Sequence, residues 1–276
     1  MPQMLRRAGV PIICAVGFAV SPTSVRADGE RVELVQPPGA ERQFTYSFNI
    51  AGTSQYIFRG YSQTGGDPTL QGGADIGYGL LYAGVWASGI RYGELPSTGD
   101  GTYSGTEVDL YGGIRPTWGG AVFDLGAIYY WYPVGNDLLV PLNYVELKAG
   151  VSGELIDRLS TGLTVYWSPD FSAGSGSVWT IEGNAGYTFH DVGVFTPSIT
   201  GALGYETGSE QYWKTLFANG DDSYLYWNAG LTLAVGGISF DFRYWDTNIS
   251  NANTFCTGSF FQCDAQFAFT TKVLLP

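Results

Sequence analysis

The chain is poor in histidine, cysteine and basic residues, and each shortage narrows what it can be. A single histidine, His190, serves 276 residues. General acid–base catalysis and metal binding both lean on histidine. A Ser–His hydrolase in an outer-membrane barrel would have to use His190, which falls in a short break, Phe189-His190-Asp191. No enzyme activity and no cofactor is expected. Of the three cysteines, Cys14 lies in an N-terminal apolar segment, and Cys256 and Cys263 are separated by Thr-Gly-Ser-Phe-Phe-Gln. In an exported chain the latter two are expected to pair across a small loop, and a metal site there would need further ligands. Lys and Arg number 13 against 25 Asp and Glu, which argues against nucleic acid or an anionic surface as a direct partner. No stretch beyond the N-terminus stays apolar for about 18 residues, which excludes a helical membrane span. A closed β-barrel remains open as a way across.

The N-terminus reads as a targeting segment. Arg6 and Arg7 precede an apolar core, Ala8–Val20, and Val25-Arg26-Ala27 forms a small-residue cleavage signal, so a signal peptide is expected over 1–27. An uncleaved anchor is the alternative, though the apolar core is short for a span. Cleavage removes Arg6, Arg7 and Arg26 and no acid, which takes the 13 basic residues to 10 against 25 acidic, a net charge of −15. Residues 28–41, with Pro37-Pro38, read as an exposed lead-in, and 42–276 as the folded part.

What the chain has in excess is glycine and aromatic residues: 40 Gly, 19 Tyr, 16 Phe and 8 Trp. That skew points to β structure. Period two dominates. Val108, Leu110, Gly112 and Ile114 alternate with Glu107, Asp109 and Tyr111; Val145, Leu147, Ala149 and Val151 alternate with Glu146, Lys148 and Gly150; Ile238, Phe240, Phe242 and Tyr244 alternate with Ser239, Asp241 and Arg243. Runs near ten residues suit tilted strands crossing a bilayer, whereas soluble sandwich strands are usually about five or six. The breaks fall near 60–68, 78–80, 92–104, 117–120, 133–142, 153–157, 168–176, 190–192, 206–222, 235–237 and 247–259. They alternate long and short, as outer loops and periplasmic turns do. Eleven breaks predict an all-β, closed antiparallel transmembrane barrel of about 12 strands. The first strand is expected from about Arg42 to Arg59, as one long strand or as two with a kink at Gly52. Tyr56, Tyr129, Trp131, Trp167, Tyr205, Trp227 and Tyr244 gather toward strand ends, as interfacial girdles do. A soluble exported sandwich shares the alternation and stays as an alternative.

Residues 53–90 resemble the opening of the TorF-type porin family of Gram-negative bacteria. The likeness is carried by Ser54-Gln55-Tyr56-Ile57-Phe58-Arg59-Gly60-Tyr61-Ser62-Gln63-Thr64, then Pro68, Gln71-Gly72-Gly73-Ala74-Asp75 and Gly84-Val85-Trp86-Ala87-Ser88. The later strands share only the rhythm and the total length. The resemblance implies an outer-membrane β-barrel with a channel role and assigns no catalytic residue. One departure is the end of the chain, Lys272-Val273-Leu274-Leu275-Pro276, where barrels of this kind commonly carry a terminal aromatic read by the assembly machinery.

If the apolar set faces lipid, the lumen is lined by Glu107, Asp109, Arg115, Asp124, Glu146, Lys148, Arg158, Glu182, Asp241 and Arg243, with Trp86, Tyr111, Tyr130 and Trp245 also pointing inward. Facing charges of both signs would set up a transverse field favouring hydrated polar solutes. The alternative is that they pair and plug a narrow barrel. Arg59 is expected at the mouth, attracting anions, or else paired with Asp67 or Asp75. The acidic loops, with Glu94, Asp100, Glu206, Glu210, Asp221 and Asp222, could take divalent cations that bridge lipopolysaccharide or be a solvated surface. The expected function is passive diffusion of small hydrophilic solutes, with outer-membrane lipid, lipopolysaccharide and the barrel assembly machinery as partners. The alternative is a closed structural or binding barrel.

Overall fold

A computed structural model describes residues 44–92, 104–133, 141–212, 222–249, 256 and 261–275. The signal peptide, the lead-in, Arg42, Glu94, Asp100, Asp221 and Pro276 lie outside the described residues.

Twelve long strands form one closed wall: β1 (Phe44–Thr53), β4 (Thr69–Tyr78), β5 (Leu81–Gly89), β6 (Thr106–Ile114), β8 (Ala121–Trp131), β9 (Tyr144–Ile156), β10 (Leu159–Ser168), β11 (Val178–Thr188), β12 (Thr196–Gly208), β13 (Ser223–Val235), β14 (Ile238–Thr247) and β15 (Gln266–Leu275). Three two-residue strands complete the set: β2 (Ile57–Phe58) and β3 (Tyr61–Ser62), which pair only with each other, and β7 (Thr117–Trp118), which extends β8. Every pairing is antiparallel, and β1 closes onto β15 from Phe48↔Leu275 to Thr53↔Thr270. Closure removes both sheet edges and satisfies the backbone without water. An open sandwich is thereby excluded. A ten-residue strand rises about 33 Å, and tilting by roughly 40° brings that to the height of a lipid-facing band.

The chain meets itself at two distinct ends. Phe44, Leu275 and the connections 79–80, 115–120, 157–158, 189–195 and 236–237 share one end, the turn end. The loop end carries 54–68, 90–105, 132–143, 169–177, 209–222 and 248–265. Side chains alternate as the period predicts. Phe48, Ile50, Leu110, Leu125, Leu147, Leu163, Ile199, Leu203, Leu231 and Phe242 are exposed on the outside. An apolar belt of this extent on a monomer marks a surface that meets lipid or a partner. At its loop-end margin stand Tyr129, Trp131, Trp179 and Tyr205, exposed, with Trp167 and Trp227 half-buried on the same face.

Two expectations for the first strand fail. It ends at Thr53, not at Arg59, and Tyr56 is buried inside the barrel instead of joining the outer girdle. The cause is local. Ser54 N donates to the Phe269 carbonyl at 2.9 Å and Phe269 N donates back to Ser54 Oγ at 3.0 Å, which finishes the ladder there. Tyr56-Ile57-Phe58 are then three consecutive apolar residues that cannot alternate between lipid and lumen, and the chain turns inward.

Inward glycines make room for rings lying across the wall. A Cβ at Gly204 would stand 2.0 Å from the Tyr226 ring, and one at Gly84 2.5 Å from the Tyr111 ring. We expect Gly204→Ala to destabilise the barrel by about 1–3 kcal/mol, as overpacking does, and adding Tyr226→Ser to recover much of it. Urea midpoints in lipid vesicles would measure both.

Candidate functional site, a hairpin seated inside the barrel

Residues 54–68 fold into the loop half of the lumen. Phe58 pairs with Tyr61, so Arg59 and Gly60 form the tip of a two-residue hairpin. Both have positive φ, 46° and 91°, the pattern of a I′ turn. Glycine is required at the second position because a Cβ there would also meet Thr247 Cγ2 at 2.3 Å. Tyr56, Ile57, Phe58, Tyr61, Ser62, Gln63 and Thr64 are all buried.

Arg59 is 1% exposed and ends in a socket on the far wall. Its Nη1 and Nη2 donate to Glu146 Oε1 and Oε2, both at 2.8 Å, and Nη1 reaches Glu206 Oε2 at 3.1 Å. The guanidinium carbon lies 4.7 Å from the Phe58 ring centroid and 5.1 Å from that of Tyr166. Such a fork on a desolvated carboxylate is the strong form of ion pair, and aromatic faces add to it. Tyr130 OH donates to Glu146 Oε2 at 3.0 Å, Thr180 Oγ1 to Glu206 Oε2 at 2.9 Å, and the Tyr212 hydroxyl also donates to Glu206. Arg59 is therefore buried in the loop half of the lumen, and its ion pairs are with Glu146 and Glu206 where Asp67 or Asp75 was expected. Asp67 pairs with Arg91 near the loop end, and Asp75 accepts from Tyr111 OH at 2.5 Å. Glu206, which the sequence placed among the acidic loop residues, is an inward wall residue near the loop end of β12.

The hairpin reaches wall all round. Tyr56 packs edge-on against Trp86 and donates to Glu107 Oε1 at 2.9 Å; Phe58 packs on Tyr130; Tyr224 OH donates to the Arg59 carbonyl at 3.3 Å; Gln266 Nε2 donates to the Gly60 carbonyl at 3.5 Å. Tyr130 and Tyr226 are 0% exposed. The last loop holds the hairpin's outer side: Ser62 N donates to the Gln262 carbonyl at 3.0 Å, and Phe261 packs edge-on against Tyr61. That loop contains the Cys256–Cys263 disulfide, as the spacing predicts.

Most of the residues expected to line the lumen sit on the inner wall, with acids gathered around Arg59 in the loop half and acid–base pairs further toward the turn end. The loop half is acidic, with Glu107, Asp109, Glu146 and Glu206, and Glu182 at mid-height accepts from Tyr226 OH at 2.8 Å. Toward the turn end, Asp124 accepts from Lys148 Nζ at 2.6 Å, Tyr82 OH at 2.7 Å and Arg115 Nε at 3.4 Å. Arg243 donates to Asp241 at 2.8 and 3.1 Å, Asn228 at 2.7 Å and Thr200 at 2.9 Å. Arg158 is not in the wall: it forms the 157–158 turn at φ 64° and donates to the Phe189 carbonyl at 3.2 Å. His190 lies exposed in the neighbouring turn. Among the described residues no group of His, Cys, Asp and Glu could hold a metal ion.

Burial holds the Tyr132 and Tyr212 hydroxyls well above 10.0, with neighbouring Glu107 and Glu206 adding to the rise. They stay neutral and donate to those carboxylates. A raised folded-state value means the native state holds its protons longer than the unfolded chain. Stability is therefore full below about pH 10 and is lost as pH rises beyond it. Urea midpoints at pH 8 and pH 11 should fall in that order, and less so for Tyr132→Phe.

A family model for bacterial proteins of unknown function, Gcw_chp, matches residues 38–273. The chain belongs to this family. The match is to Gcw_chp and not to the TorF-type porins that residues 53–90 resemble. Curated proteins offer no match. Among solved structures, the KdgM porin superposes with a TM-score of 0.52 at 10% identity, covering 82% of this chain and 98% of that one. The NanC porin gives 0.50 at 11% identity, covering 83% and 99%. At such identities the likeness is one of fold: a closed antiparallel barrel of the outer-membrane porin kind.

Proposed function

We propose that this member of the Gcw_chp family is an outer-membrane channel for small hydrophilic solutes, with the inserted hairpin as its gate. The carrying observation is the closed wall of twelve strands, apolar outside and charged inside. The N-terminal targeting pattern, the likeness to porin barrels and the TorF-like opening residues support the location. In this reading the loop end faces outward, toward lipopolysaccharide, and the barrel assembly machinery inserts the chain. Passage is passive, and in this reading the hairpin, buried and packed around Arg59 and Tyr130, moves to let a solute through. The short His190 turn then faces the periplasm, away from the outer leaflet where barrel lipid hydrolases act, so the reading includes no enzyme activity.

Single-channel recording of the mature chain in a planar bilayer tests it. The expected trace is brief, infrequent steps, lengthening when the hairpin is loosened. A folded barrel that stays silent both as wild type and with the hairpin removed would overturn the channel. A closed binding barrel is the second reading, favoured by the full burial of Tyr130, Tyr226 and Arg59.

A further inference from the structure

We propose that the Arg59 socket is a binding site for cationic solutes bearing a guanidinium or amine, and that Arg59 occupies it as a tethered stand-in for that solute. The inference rests on the channel reading and names the solute class for it.

The socket's walls belong to the barrel, so they remain when the hairpin withdraws. Glu146 on β9 and Glu206 on β12 approach one guanidinium from two sides. Their own hydroxyl donors, Tyr130 and Thr180, fix the two carboxylates independently of Arg59. Tyr166 offers a ring face at cation–π distance. Beside the hairpin tip, Gln266 is buried, and its Oε1 has no hydrogen-bond partner. Withdrawal of Arg59 would leave two neighbouring carboxylates that had shared one cation, and an incoming cation relieves their mutual repulsion. An anion would meet the negative charge of both carboxylates, with Glu107 and Asp109 on the same half of the wall. A neutral sugar would leave both carboxylates uncompensated. Planarity and multiple N–H donors favour a guanidinium over a simple metal ion, because Glu146 already presents both oxygens to a fork.

The test uses the refolded full-length mature barrel and agmatine as probe, with glutamate and glucose as controls. Arg59→Ala empties the socket. It should bind agmatine saturably by calorimetry, at least ~tenfold more tightly than wild type, whose socket is filled. Adding Glu146→Gln should weaken binding by at least ~tenfold, as loss of a buried charge partner does. Should Arg59→Ala fail to show the heat-dependent gel mobility of a folded barrel, Arg59→Ala with Glu206→Gln removes one of the bare charges. That barrel should still bind agmatine through Glu146. Folded protein with no saturable agmatine binding, or with equal binding of glutamate, overturns the socket. Conductance of the same samples keeps the two readings apart. Binding without current, in these samples and in the barrel with the hairpin removed, leaves the socket and sinks the channel, and current without binding does the reverse.

Discussion

Excising the hairpin should turn a mostly shut barrel into one that conducts steadily. Thr53 and Thr69 are register partners across β1 and β4, so the strand ends already face each other. A five-residue Gly/Ser loop in place of 54–68 can close that gap as an ordinary hairpin connection. The wall pairing is left intact, and Glu146 and Glu206 pass from a dry socket into water, where a carboxylate needs no partner. The barrel therefore stays folded while the obstruction goes. Open-state occupancy should rise from a minor fraction to nearly all of the recording. Because the loop half is lined by Glu107, Asp109, Glu146 and Glu206, the reversal potential in a salt gradient should show cation preference. Steady current with anion preference would mean that Arg115, Lys148 and Arg243 near the turn end control selectivity instead. No increase in current, from protein shown to be folded, would mean that something other than the hairpin closes the lumen.

Asp124→Ala should cost about 3–5 kcal/mol of stability, the range for removing one partner of a buried ion pair. Asp124 holds Lys148, whose side chain is 0% exposed, and Arg115, whose guanidinium lies 3.7 Å over the Tyr82 ring. Without the carboxylate, the buried Lys148 ammonium loses its ion pair, for which the Tyr82 face is a poor substitute. Combining Asp124→Ala with Lys148→Met should recover much of the loss, because the orphaned charge goes too. Urea unfolding in vesicles, read through the barrel's tryptophans, measures all three proteins. A single variant as stable as wild type would mean that water or Glu and Asp neighbours solvate Lys148 in the lumen. Full additivity in the double variant would mean that the pair is not coupled.

Much of this architecture is legible in the chain itself. Alternation at period two, in runs such as Glu107–Arg115 and Ile238–Tyr244, assigns each residue to a face, because strand geometry leaves only two. Glu107, Asp109, Asp124, Glu146, Lys148, Glu182, Asp241 and Arg243 follow from that rule. The Cys256–Cys263 pairing follows from a different argument, that two cysteines remain in an exported chain and are separated by a small loop. Arg158 is where the rule was carried too far: it lies beyond the strand end, in a two-residue turn, where no face exists.

The hairpin is what local pattern could not place. The run Tyr56-Ile57-Phe58 breaks the alternation, and Arg59-Gly60 matches a tight turn. Both signals mark the segment as unusual without saying where it goes. Its destination depends on Glu146, Glu206 and Tyr166, which lie 87, 147 and 107 residues further along the chain. Sequence by itself determined the barrel and its inner and outer faces, because those follow from nearest-neighbour geometry along a strand, and its disulfide, because two cysteines remain in an exported chain. Only the tertiary structure decided that a hairpin enters the lumen and that Arg59 anchors it there. An ion pair across the barrel is set by closure of the whole wall, and closure brings together residues that have no local relation.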